Sequence, residues 1–165
     1  MAINWDGREA PKFRRLGAGD APALAALEEA CFTLPWSREQ CRLALSQENF
    51  RTMGLWLGER LIAYVSFYIH PDEFEILNLA SAPEERRKGF GDLIMRSLLQ
   101  TAGNMGMQQV VLETRESNRP AIRLYKKHGF AQCGLRPGYY PDTKENALIM
   151  RRILGNSRPP EEEGS

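Results

Sequence analysis

The sequence predicts a mixed α/β fold, a single domain whose central mixed sheet carries packed helices. Three observations predict it. Apolar patterning switches between strand and helix periods in the order strand, helices, three strands, helix, strand, helix, two strands. A strand–helix–strand unit falls in the middle of that order, which calls for a right-handed parallel crossover. The chain has 165 residues, 42% of them apolar, enough for one core and small for two. No linker or internal repeat divides it, so the domain is expected over residues 1–154. The remainder, 155–165, belongs to "GNSRPPEEEGS", which has nothing to bury and is expected to be a disordered tail.

Each element has a local reason. "FRRL" reads as a first strand. Asp20 is placed to cap a helix whose first turn tolerates Pro22, with Leu24, Leu27 and Cys31 at helical spacing. "TLPWSREQ" breaks that helix and starts another, and Ser37 with Gln40 fits a capping box. "RTMGLWLGERLIAYVSFYI" reads as a hairpin turning at Gly58. "EFEILNLASA" is the next strand. A helix follows from about Gly89 to Gly103, with Leu93, Ile94 and Leu98 giving it an apolar face. "MQQVVLETR" is a strand with an apolar middle. In "SNRPAIRLYKKHG", Ser117 or Asn118 caps a short helix, Pro120 fits its first turn and Gly129 ends it. "FAQCGLR" and "KENALIMRRIL" close the sheet around "PGYYPDT".

Composition narrows the function. A net charge of +1 is no global basic field of the kind that marks nucleic-acid binders. The start lacks a signal-peptide core, and apolar stretches such as "LIAY" are too short to span a bilayer. Cys31, Cys41 and Cys133 are odd in number and lack metal-ligand spacing; His70 and His128 have no Cys or His partner nearby. The expectation is a cytosolic protein with no metal, no disulfide framework, no membrane segment and no direct nucleic-acid partner.

The stretch "EERRKGFGDLIM" raises a chemical question. A helix begins with several unpaired backbone amides and a positive dipole end. Gly89 and Gly91 let a ligand approach the backbone closely, and Arg86, Arg87 and Lys88 add positive charge. The physical reading is an anion site, most simply for a pyrophosphate; an ordinary charged loop that uses glycine to turn has the same local pattern. A P-loop is excluded because Asp92 follows Gly91, and the dinucleotide fingerprint because Ile94 stands where its third glycine belongs.

The surrounding sequence separates the two. "LNLASAPEERRKGFGDLIM" resembles the acetyl-CoA-binding motif of the GNAT acyltransferase superfamily, Gln/Arg-x-x-Gly-x-Gly/Ala, here Arg86, Gly89 and Gly91. "CFTLPWS", "LETRESNRPAIRLYKKHGF" and "YYPDTKENALIM" look like the ribosomal-protein alanine N-acetyltransferases, the RimI type, from about Cys31 to Met150. The resemblance implies the GNAT fold: a mostly antiparallel mixed sheet with one splayed parallel pair and helices on both faces. It implies acetyl-CoA as co-substrate. The pantetheine arm would pair with the strand holding Leu79, Ala80 and Ser81, and the pyrophosphate would meet amides of Arg87, Lys88, Gly89, Phe90, Gly91 and Asp92. Asp92 departs from the family's basic or neutral residue; a carboxylate suits a helix start but repels a phosphate.

Acetyl transfer to an amine needs a base for the amine and an acid for the leaving sulfur. From spacing alone, Glu113 is either a base at the end of an apolar strand or an exposed carboxylate paired with Arg115 or Arg119. Tyr125 is either a core tyrosine or an acid. The resemblance implies that Glu113 accepts the proton, directly or through water, that Tyr125 donates one to the thiolate, and that Asn118 caps its helix or touches the cofactor. It also favours a peptide cleft formed by the loops with Pro35 and Trp36 and with Tyr139 and Tyr140. Glu28, Glu29 and Glu39 read as solvated helix faces or as attractors of a basic peptide. The implied partner is a protein amino terminus, an alanine of a small-subunit ribosomal protein. A lysine or small-amine acceptor, or a non-catalytic acyl-CoA module, is the alternative.

Overall fold

The structure, a computed structural model, describes residues 10–155. Past Gly155, the expected tail lies outside the described residues. The described chain forms two compact units.

The first unit holds the described residues up to Phe67, with Asn78–Ile94. Strand β1 (Lys12–Arg15) pairs antiparallel with β2 (Phe50–Leu57), Lys12 opposite Trp56 and Arg15 opposite Met53. Strand β3 (Arg60–Ile69) follows a two-residue loop in which Gly58 has φ +58°, as a tight hairpin requires. The unit also contains α1 (Ala21–Cys31), α2 (Arg38–Leu45) and the end of β4 (Glu73–Ser81). Leu16, Leu24, Leu55, Ile62 and Tyr64 are fully buried.

Local capping follows the sequence with one exception. Ser37 Oγ accepts from Gln40 N while Gln40 Oε1 accepts from Ser37 N, the expected reciprocal box. Asp20 stands before α1, but its carboxylate makes no cap bond there. It accepts instead from Gly17 N at 2.9 Å and from both guanidinium nitrogens of Arg14. A bidentate cation outcompetes a single helix amide.

The second unit holds Tyr68–Leu77 and the described residues from Met95 on. The first half of β4 runs parallel to β5 (Gln109–Arg115), in register from Glu73 opposite Gln109 to Ile76 opposite Leu112. The parallel pair is the expected one, and α3 (Phe90–Asn104) connects its strands. Next come β7 (Ala147–Ile153), antiparallel to β5, and then β6 (Ala131–Arg136), antiparallel to β7. The β6–β7 register shifts between Gln132 and Gly134. Helix α4 (Arg119–Lys127) is capped by Asn118, whose side chain accepts from Ala121 N. Among the described residues, seven strands and four α-helices make a mixed α/β fold with one parallel strand pair.

The buried face of α3 is rotated from its expected centre. Ile94, Met95, Leu98 and Ala102 are fully buried, whereas Leu93 is half-buried.

Candidate active site

The turn before α3 is built by charge as much as by glycine. After β4 ends at Ser81, Pro83–Glu85 forms one 3-10 turn. Glu85 is only 3% exposed and accepts from Lys88 Nζ at 2.9 Å and Arg60 Nη1 at 3.4 Å. Arg60 also bonds Glu84. The ammonium of Lys88 is thus committed to a buried acid three residues back. Arg87 has φ +65° and Gly89 φ +84°, so two left-handed residues lie within three positions. Left-handed residues interspersed along a chain turn successive N–H groups toward a common concavity, a main-chain anion cradle. Leu93 N bonds Gly89 O, the first turn of α3, so the helix's positive end starts there. A β-carbon on Gly89 would meet nothing within 4 Å; its backbone angle, not crowding, demands glycine. Gly91 lies inside α3, in its first turn, beside half-buried Asp92.

Leu79, Ala80 and Ser81 are the last residues of β4. The carbonyl of Ser81 accepts from Cys31 Sγ at 3.3 Å. Burial pushes that thiol up, against the opposing effect of Arg86. All three cysteines are free thiols.

A buried carboxylate organises the α1–α2 loop. Glu28, 3% exposed, accepts from the Tyr64 hydroxyl and from Trp36 N at 3.3 Å. Burial first, then the Glu28 charge, pushes the Tyr64 hydroxyl far above the usual phenol range. Trp36 lies half-buried with its ring 6.0 Å from that of Phe50, and Pro35 is half-buried beside it. Leu34, next in the loop, is 91% exposed. Both sequence readings of Glu28, solvated face and peptide attractor, give way to a structural tie; Glu29 and Glu39 are exposed. The signal was in the helix spacing, because Glu28 follows Leu24 by one turn and adjoins Leu27 on the buried side.

In the second unit, Glu113 sits in β5 opposite Ile149 of β7. Its carboxylate is one-third exposed and accepts from Arg136 Nε at 2.6 Å. Neither expected partner is its counter-ion. Arg115 instead bonds Asp142, Thr143 and Glu145 and stacks 4.0 Å from the centroid of Tyr140. Tyr139 meets Tyr140 edge to face at 5.2 Å. The aromatic pair therefore stands on a loop braced by one arginine. Arg136 was missed because it reaches Glu113 from two strands away, a relation that only sheet order reveals.

Tyr125 is 7% exposed, its ring 5.9 Å from Phe130. Burial, with a smaller contribution from Tyr140, pushes its hydroxyl up to about 12. Asn118, at the head of the same helix, is engaged as its cap.

These features meet a family pattern. The family model described as Acetyltransferase (GNAT) family matches residues 21–130, and the chain belongs to that family, an acetyltransferase by fold and sequence. Members use acetyl-CoA as co-substrate. A Salmonella typhimurium (strain LT2) protein named ribosomal protein bS18-alanine N-acetyltransferase is 31% identical over 137 residues, 82% of this chain and 92% of that one. The crystal structure of the ribosomal-protein-S18-alanine N-acetyltransferase from Escherichia coli superposes with a TM-score of 0.84 at 27% identity, covering 92% of this chain and 97% of that one. Ard1 from Thermoplasma volcanium gives 0.78, also at 27% identity, covering 88% and 99%. Among the described residues no helix is long and apolar enough to cross a membrane.

Proposed function

We propose that this chain transfers the acetyl group of acetyl-CoA to the α-amino group of a protein amino terminus. The expected acceptor is the amino-terminal alanine of small-subunit ribosomal protein bS18, met in the cytoplasm. The observation that carries this reading is the likeness to proteins named for that reaction, over 82% of this chain and 92% of the Salmonella relative.

The residues present fit the co-substrate. A main-chain cradle with left-handed Arg87 and Gly89 at a helix start suits a diphosphate. Its amides from Arg87 through Asp92 would hold that group, and the backbone of Leu79–Ser81 would pair with the pantetheine arm. Acetyl-CoA, when bound, supplies an activated acyl thioester. No covalent enzyme intermediate is needed where proximity supplies the acceleration.

A free α-amino group has a pKa of roughly 7.7 to 8, so near neutral pH most of it is ammonium and cannot attack. Glu113 is the proposed proton acceptor, directly or through one water. Tyr125 is the proposed donor to the departing sulfur. With its hydroxyl pushed up to about 12, the phenol stays protonated throughout the working pH range. A thiol of cysteine type titrates near roughly 8.5, so a phenol this weak donates a hydrogen bond to the thiolate before it releases its proton. Pro35, Trp36, Tyr139 and Tyr140 are the proposed peptide contacts, and Asn118 supports Tyr125 by holding the head of its helix.

The test is a peptide panel varying the first residue, with free or blocked amino termini and internal lysines, incubated with acetyl-CoA and read by product mass. One acetyl group on free amino-terminal alanine is expected. Modification of lysine alone would overturn the acceptor assignment. Coenzyme binding without transfer to any amine would reduce the protein to a binding module.

A further inference from the structure

We propose that Arg136 is an internal stand-in for the substrate ammonium: its guanidinium occupies the Glu113 carboxylate in the free protein and is exchanged for the amino terminus of an arriving peptide. The inference rests on the reading of Glu113 as the group that receives the amine.

The geometry is specific. Arg136 Nε donates to Glu113 Oε1 at 2.6 Å, and this is the one hydrogen bond its side chain makes among the described residues. The two residues lie on strands separated by β7. Glu113 stands opposite Ile149, Ile149 opposite Gly134, and Arg136 opposite Ala147. The arginine therefore reaches over β7, from the position opposite Ala147 to the one opposite Ile149. A β-carbon at Gly134 would lie 3.1 Å from Ile149 Cδ1, so the glycine leaves room for the isoleucine side chain that stands between it and Glu113 in register.

The contrast with Arg115 gives the pair its meaning. Arg115 is locked by a bidentate bond to Asp142, by Thr143 and Glu145, and by stacking on Tyr140. Arg136 has one bond and a side chain 54% exposed. An aromatic partner is available to it as well, since its guanidinium carbon is 5.8 Å from the centroid of the exposed Tyr139 ring. An arginine that leaves Glu113 can settle on that aromatic face. The arriving ammonium carries the same charge and donates to the same oxygen, so Glu113 exchanges one cation for another and is never left uncompensated.

The test is steady-state kinetics with an alanine-initiated peptide on four full-length proteins: wild type, Arg136→Gln, Glu113→Gln and the double variant. Arg136→Gln should lower the peptide KM about two- to fivefold, the worth of a partly exposed ion pair, without lowering kcat. In the Glu113→Gln background the same change should leave KM unmoved, because the competition is then gone. Arg136→Lys should return KM toward the wild-type value. A raised KM with reduced kcat in Arg136→Gln would make Arg136 a brace and overturn the proposal. So would a fall in KM that persists without Glu113, which would mark a general charge effect. If Glu113→Gln alone transfers at the wild-type rate, the reading of Glu113 fails instead, and the two failures are distinguishable.

Discussion

Replacing Glu28 by alanine removes a carboxylate that is 3% exposed and leaves the Tyr64 hydroxyl, on a side chain 1% exposed, with no acceptor. An orphaned buried hydroxyl costs about 1–3 kcal/mol, and the charge-assisted bond itself contributes about 1.5–3 kcal/mol. The original burial of the carboxylate was unfavourable, which returns part of this. The net expectation is a loss of about 2–4 kcal/mol. For a chain of this length that is a fall in melting temperature of about 5–15 °C. The assay is thermal and urea unfolding by circular dichroism, with Glu29→Ala, an exposed neighbour, as control at about 0.5 kcal/mol or less. Pairing Glu28→Leu with Tyr64→Phe should recover much of the loss, because no polar group is then stranded. If Glu28→Ala melts with its control, the carboxylate is not the tie inferred for the α1–α2 loop.

Arg87→Ala should weaken coenzyme A binding, measured by calorimetry, more than Lys88→Ala does, because the Lys88 ammonium is already engaged by Glu85. Equal losses would mean that ligand binding breaks the Lys88–Glu85 pair. Glu113→Gln should slow transfer most near neutral pH and less above about pH 9, where the amine is already neutral; an equal loss at every pH, read from initial rates, would count against a base. Stability should decline as pH rises from about 10, where unfolded tyrosine titrates, toward about 12, where Tyr125 does. The sign follows because the folded form holds the proton more tightly than the unfolded form across that window. Urea unfolding across it should show a shallower decline for Tyr125→Phe, with Tyr64, raised in the same direction, accounting for a remainder.

What was legible in the sequence is what local chemistry fixes. The Ser37–Gln40 box, the Gly58 hairpin, the Asn118 cap and the parallel unit around α3 each depend on residues close together, and each stands where the pattern put it. The misreadings share the opposite property. Asp20 turned from its helix because Arg14 lies within reach in β1. Glu28 is buried because Tyr64, 36 residues on, supplies a hydroxyl. Glu113 met Arg136, reaching across β7, while Arg115 is held by Asp142, Thr143 and Glu145. A charged residue's partner is chosen by tertiary neighbourhood, and periodicity along one element carries no information about it.

The same partners change how the charges at the turn and at Glu113 are each to be counted. From sequence, Arg86, Arg87 and Lys88 raise the positive charge of the turn, and Glu113 is either a base or an exposed carboxylate paired with Arg115 or Arg119. In the folded chain Lys88 is held by Glu85, and Arg136 is held at Glu113. Arg87, exposed and left-handed, makes no ion pair among the described residues. On the proposed function, a ligand's charge would meet Lys88 and Glu113 already compensated, and binding there would be an exchange of partners more than an addition of new ones. Exchange keeps each buried or half-buried charge paired throughout, which avoids the cost of stranding it. It also makes backbone amides the larger fixed source of attraction at the turn, since they have no counter-ion to surrender. That is a physical reason for spending a strained non-glycine residue, Arg87 at φ +65°, to shape the cradle.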